Sequence, residues 1–219
     1  MNKLSFYEQA GIVIPGAVLV LGLVIIWPDA KEILAKDGFT LGGLGVYLLL
    51  AYAAGHMIAA GGNFLESIVW TRGMPSTWVT RVPPALISKI QIEKLQQQVQ
   101  SRLGISISAI MGMPAKEWEH LFWQLYKDVL NCSPGRVEIF NGNYGLCRGL
   151  AVALSFLALI FATKCERWPW SVACIFLAIV SIYRMRRFGI HFAREVYHQF
   201  LLLPSTPGER MMGKNSQTK

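Results

Sequence analysis

The chain has 219 residues, of which 53% are hydrophobic and only 16% charged, and its formal net charge is +8. Soluble domains carry roughly 25% charged residues, so this composition sets aside an ordinary soluble enzyme or binding module and points to a multi-pass membrane protein. Of the four cysteines, Cys132 and Cys147 are expected on the cytoplasmic side, Cys174 within a span and Cys165 alone outside; with no CxxC pair, neither a disulfide frame nor a metal site is expected.

In chain order, residues 1–10 form a short amphipathic entry with Phe6 and Tyr7 at the interface. Lys3 before an apolar stretch imitates a signal peptide, but Glu8, Pro15 and a poor cleavage sequence ending at Ala30 favour an uncleaved span. Gly11 to Trp27 and Leu41 to Gly62 are each read as a span, at about 1.5 Å per residue across a core of about 30 Å. Pro15 lies near the start of the first, where a proline is tolerated.

The second span carries the small residues Ala51, Gly55, Ala59 and, slightly off the line, Gly62, a face that lets another helix approach closely. Tyr52, His56 and Asn63 lie beside it. Ionisable groups within a span are candidate functional residues, and Tyr52, one turn away, is placed to satisfy a structural, hydrogen-bonded His56; lining a proton path or pore is the alternative role.

Residues 63–144 read as a small cytoplasmic module. Gly73, Pro75, Pro83 and Pro84 make 71–84 a loop, and from Ala85 the helical repeat of Ile92, Leu95, Val99 and Leu103 runs to a stop at Gly104. Ile105, Ser106, Ile107 and Ser108 alternate as a strand does, over too few residues to define one. A second helix opens after Pro114 with Trp118, Leu121, Phe122, Leu125 and Val129 on one face and ends near Asn131. Two such helices make too small a core to stand alone, so they are expected to pack on each other, on extensions of the spans or on another subunit. Val137, Phe140 and Tyr144 then lead helically into the third span.

Two further apolar runs, Gly145 to Ala162 and Trp168 to Tyr183, form a hairpin with a tight loop. Ala151, Ser155, Ala158 and Ala162 give the third span a small-residue face, and Ser171, Cys174, Ala178 and Ser181 give one to the fourth. Arg148, one turn inside the third span, is expected to snorkel to the headgroups rather than enter a buried ion pair. The fourth run continues without a breaker into a basic helix with Arg184, Arg186, Arg187, His191 and Arg194, and the first proline after it is Pro204.

The fold expected is therefore an all-α membrane protein: a four-helix transmembrane bundle with spans 1 and 2 in 1–62, the module in 63–144, spans 3 and 4 with their basic extension in 145–203, and a disordered tail over 204–219. Of the 21 Lys and Arg, 17 lie outside the two short connections that hold Lys31, Lys36, Lys164 and Arg167, which puts both termini and the module in the cytoplasm. From Arg184 onward there are 7 basic and 2 acidic residues, so anionic lipid headgroups are a simpler partner than nucleic acid.

No HExxH, nucleophile elbow, P-loop or GxGxxG is present, and no catalytic, cofactor or metal residue is assigned. Arg186 and His191 form an Arg-x4-His pair on a helix, which resembles the signature of HEPN ribonucleases; the polar residue that usually follows the Arg is replaced by Arg187. That resemblance implies a membrane-anchored ribonuclease. The overall plan, with short outer loops, a compact cytoplasmic module and a helix running out of the last span, resembles small four-span membrane proteins encoded with bacterial antiviral systems. This second resemblance implies a bacterial inner membrane, a homo-oligomer, a cytoplasmic protein partner and a non-enzymatic role as effector or accessory subunit that perturbs the bilayer. A membrane scaffold recruiting a cytoplasmic partner is the alternative.

Overall fold

The computed structural model describes residues 9–27, 41–107, 109–132, 135–164 and 168–204, and the sequence expectations for the first loop, Cys165 and the tail beyond Pro204 lie outside them. Every regular element among these residues is helical. A π-helical turn, Gln9–Val13, leads into α1 (Ile14–Ile26), followed by α2 (Leu41–Val69), a 3-10 helix (Pro75–Thr80), α3 (Lys89–Leu103), α4 (Ala115–Cys132), α5 (Gly135–Lys164) and α6 (Trp168–Leu202). Three helical stretches, Gly42–Val69, Gly135–Thr163 and Trp168–Leu202, are long and apolar enough to cross a membrane, and Ala10–Ile26 is a shorter apolar helix.

The chain forms two compact units. Unit 1 comprises residues 1–71 and 138–189, and unit 2 comprises 72–137 and 190–219.

Unit 1 is built on close backbone approach. Pro15 sits in the first turn of α1, where its missing N–H is no loss because those donors have no intrahelical acceptor. At the other end Trp27 turns to extended geometry and closes the helix with its N–H on the Leu23 carbonyl, as suits a residue before Pro28. Gly16 lies on the α2 backbone at Ala51 and Gly55, and Gly55 lies on the backbone of Ile12, so a side chain at either glycine would overlap main chain. The Tyr47 hydroxyl donates to the Ala17 carbonyl at 2.8 Å across the same interface. Farther along α1, Val18, Leu19, Leu23 and Ile26, with Leu154 of α5, pack against a buried cluster of Leu157, Ala158 and Phe161 of α5 and Cys174 of α6, and Leu157 fills the space over Gly22. Ser171 of α6 donates to the Ala158 carbonyl of α5 at 2.9 Å, joining the hairpin where both helices carry small residues.

Unit 2 has a genuine apolar core. Val79, Ile92, Leu95, Val99, Trp118, Phe122, Leu125 and Val129 are buried, together with Val137 from the start of α5 and Ala193, Val196, Tyr197 and Phe200 from the end of α6. The helical extension of the last apolar run thus supplies what two short helices could not. Ser88 opens α3 with a reciprocal capping box to Gln91, and Gly104 closes it in the left-handed region at φ 67°. The indole of Trp118 donates to the Ser76 carbonyl at 3.0 Å and lies 2.8 Å from the Tyr197 hydroxyl, which itself donates to that carbonyl. Gln98 donates to the carbonyls of Phe200 and Leu203 at 2.8 and 2.5 Å, satisfying acceptors left open by the end of α6. Arg102 grips Asp128 with two bonds of 2.8 and 3.1 Å.

Several expectations are corrected. The 71–84 stretch is not all loop: Pro75 starts a 3-10 helix that Trp118 and Tyr197 fasten through Ser76. Residues 105–107 form no strand, in keeping with an alternation too short to define one. The second apolar helix does not end near Gly62 but runs two turns further to Val69, and the first helix of unit 2 begins at Lys89, after its Ser88 cap, rather than at Ala85.

Candidate functional site

The extra turns of α2 bring Glu66 and Trp70 level with the start of the apolar part of α5. There Arg148 forms an ion pair with Glu66, Nη1 to Oε2 at 2.5 Å, with side chains only 12% and 17% exposed. The Tyr144 hydroxyl accepts from the Trp70 indole at 3.1 Å and is hydrogen-bonded to Glu66, while the guanidinium of Arg148 lies 5.9 Å from the Tyr144 ring centroid. Two glycines make room. A Cβ on Gly62 would come within 3.0 Å of Arg148 Nε, and one on Gly189 would meet Trp70 and Tyr144 at 3.0 and 3.1 Å. The guanidinium of Arg186 stands over the indole, 5.7 Å from the Trp70 ring centroid.

This arrangement overturns the expectation that Arg148 snorkels to the headgroups. A guanidinium one turn inside an apolar helix is costly unless it is paired, and here a carboxylate on a neighbouring helix pairs it. The cluster joins α2, α5 and α6 within unit 1 as a polar clamp. Neither Glu66 nor Trp70 was singled out from the sequence. A signal was available: one acidic residue just beyond one apolar run and one basic residue just inside another, at ends that antiparallel topology brings level.

The other residues singled out from the sequence are scattered. Ala51 and Gly55 are buried against α1, so this small-residue face is used within the chain; Ala59 is half-buried. Ala151 and Ala158 are buried, whereas Ser155 is exposed and returns its hydroxyl to the Ala151 carbonyl at 2.7 Å. Ser171, Cys174, Ala178 and Ser181 are all buried. Between α5 and α6 runs an apolar groove of about 370 Å³ lined by Ser155, Ala158, Leu159, Ile175 and Ala178.

Tyr52, His56 and Asn63 are exposed on α2. Tyr52 does not hydrogen-bond His56 as expected; the rings meet edge to face with centroids 4.6 Å apart. Arg184, Arg186 and Arg187 are exposed, Arg184 lying 5.3 Å from the Phe188 ring centroid, and these three belong to unit 1. His191 and Arg194 are half-buried and belong to unit 2. Among the described residues no group of three His, Cys, Asp or Glu side chains is placed to hold a metal ion. The chain matches no protein-family model, no curated protein and no solved structure.

Proposed function

We propose that this chain is a four-span protein of a bacterial inner membrane, with both termini and unit 2 in the cytoplasm, and that it works as a homo-oligomeric, non-enzymatic effector or accessory subunit. In this reading a cytoplasmic protein engages unit 2 or the basic stretch of α6, and the bilayer is perturbed or made conductive in response, as antiviral defence would require.

The observation that carries the reading is the continuity of α6, a single helix from Trp168 to Leu202. Its first half gives Ser171, Cys174, Ala178 and Ser181 to the interior of unit 1, and its last turns give Ala193, Val196, Tyr197 and Phe200 to the core of unit 2. A helix shared in this way transmits displacement, because packed cores shift between discrete arrangements rather than deform smoothly. Between the two sets lie the exposed Arg184, Arg186 and Arg187. Near an anionic surface each is worth about 1 kcal/mol, so two of them change a conformational population by more than tenfold.

The test is membrane potential in bacteria producing the wild type or the double variant Arg186→Gln, Arg187→Gln. We expect the wild type to depolarise cells, alone or with its partner, and the variant to lose most of that effect while remaining membrane-embedded. Wild-type behaviour of the variant would remove the control role of the arginines. Partner capture without depolarisation by either protein would favour a scaffold.

A further inference from the structure

The exposed side of α2 is not uniform. At about 100° per residue, Val46, Leu50, Met57, Phe64 and Ile68 share one arc. All five are exposed, Met57 to 78% and Phe64 to 71%. Tyr52, His56 and Asn63 share a second arc, within about 40° of one another and roughly 120° from the first. They are exposed too. The remaining side, with Ala51, Gly55, Ile58 and Gly62, is buried against the rest of unit 1.

The apolar arc suits lipid and the polar one does not. Gly62 packs on Arg148 at the basic rim of the apolar segment, which places His56 about 9 Å and Tyr52 about 15 Å deeper, at about 1.5 Å per residue. There, a phenol and an imidazole have no water to bond. Among the described residues none of the Tyr52, His56 and Asn63 side chains has a hydrogen-bond partner, and Tyr52 and His56 share only their ring contact.

The polar residues also belong to a longer pattern. Gly45, Leu49, Tyr52, His56, Ala59 and Asn63 follow one another by alternating steps of four and three, the repeat of a seam between two helices wound in a left-handed supercoil. Gly45 supports this assignment. A Cβ there would meet nothing within 4 Å, whereas Gly55, Gly61 and Gly62 on the same helix are closed in by the chain itself.

We propose that this arc is where two copies of the chain meet, α2 against α2, about an axis along the membrane normal. The proposal rests on the membrane-embedded reading of unit 1. A second copy fits because Tyr, neutral His and Asn each carry both a donor and an acceptor, so the arc is complementary to itself. Copies inserted in the same sense bring each residue opposite its own counterpart, as a two-fold interface requires. Burial at the seam gives the three side chains the partners they lack within one chain.

The test is cross-linking in native membranes, in a chain carrying Cys132→Ser, Cys147→Ala, Cys165→Ser and Cys174→Ala. We expect Leu49→Cys and Ala59→Cys to form disulfide-linked dimers on oxidation, and Leu50→Cys and Met57→Cys to form none. Adding His56→Leu with Asn63→Leu to Leu49→Cys should lower the dimer yield severalfold. Equal cross-linking from both arcs, none from the seam, or a product containing a different protein overturns the proposal. Ready labelling of the seam cysteines by a membrane-impermeant maleimide also overturns it, by showing a water-lined face. Alkaline extraction separates the two readings: a chain released from the membrane removes the embedded reading, whereas a retained chain without seam dimers removes only the seam. If the cysteine-free chain fails to insert, a benzophenone side chain at position 49 or 50 of the native chain gives the same comparison.

Discussion

The ion pair between Arg148 and Glu66 shows how far a single residue depends on a partner remote in sequence. The two side chains are 82 positions apart and meet at 2.5 Å with little exposure. Removing one takes the countercharge from the other, a loss of roughly 3 to 5 kcal/mol for a fully buried pair. The residual exposure of both groups places the expected value near the lower figure. We expect Arg148→Met and Glu66→Met each to lower stability by about 3 kcal/mol, and the double variant Arg148→Met, Glu66→Met to lose clearly less than the sum, since two apolar side chains leave no orphaned charge. Thermal unfolding of the four purified proteins in one detergent checks this, and strict additivity would show that the pair contributes no coupling. The residue pattern of α5 alone displays an arginine in an apolar run and invites snorkelling. The carboxylate that decides otherwise lies on a different helix, where local pattern carries no information.

At the scale of the element, helices were legible and their neighbours were not. Ile92, Leu95, Val99 and Gly104 marked α3, and Trp118, Phe122, Leu125 and Val129 marked the buried face of α4, because a 3.6-residue period is a property of the local sequence. The 3-10 helix escaped because Pro75 reads as a breaker, whereas at a helix start its fixed φ is an asset. The face of Ala51 and Gly55 was seen as a packing face, but whether it serves the same chain or another is set by tertiary structure. It serves α1, and this changes what a substitution does. Gly55→Leu drives a branched side chain into the Ile12 backbone, so we expect loss of folded protein rather than a selective loss of oligomers. At Gly45 a Cβ meets nothing within 4 Å, so Gly45→Ala should not lower the unfolding temperature of dilute, monomeric protein in detergent. Equal destabilisation by the two would contradict the α1 packing.

For the whole molecule, the helical class and the apolar segments followed from composition and run length, while the distribution of α6 between two units did not, because a continuous helix gives no local sign of where its partners change. The apolar lengths carry a further consequence. From Arg148 to Lys164 on α5, and again from Trp168 to Arg184 on α6, there are 16 steps, or about 24 Å at about 1.5 Å per residue. If the hairpin spans a bilayer as proposed, both are shorter than a typical hydrocarbon core of about 30 Å, and any tilt shortens them further. Arg148 needs no headgroup because Glu66 pairs it, but Arg184 is exposed, so the hairpin cannot gain thickness by burying that end. Trp168 and Trp170, 70% and 61% exposed, suit the opposite interface. A mismatch of about 6 Å, at fractions of a kcal/mol per Å, amounts to about 2 kcal/mol, which the bilayer meets by thinning or the protein by associating. Reconstituted into vesicles of graded acyl-chain length, the protein should therefore unfold at its highest temperature in bilayers with cores near 24 Å and lose stability as the core approaches 30 Å. Stability rising steadily through that range would show that the apolar belt extends past Arg184, and that the arginines lie within hydrocarbon rather than at its edge.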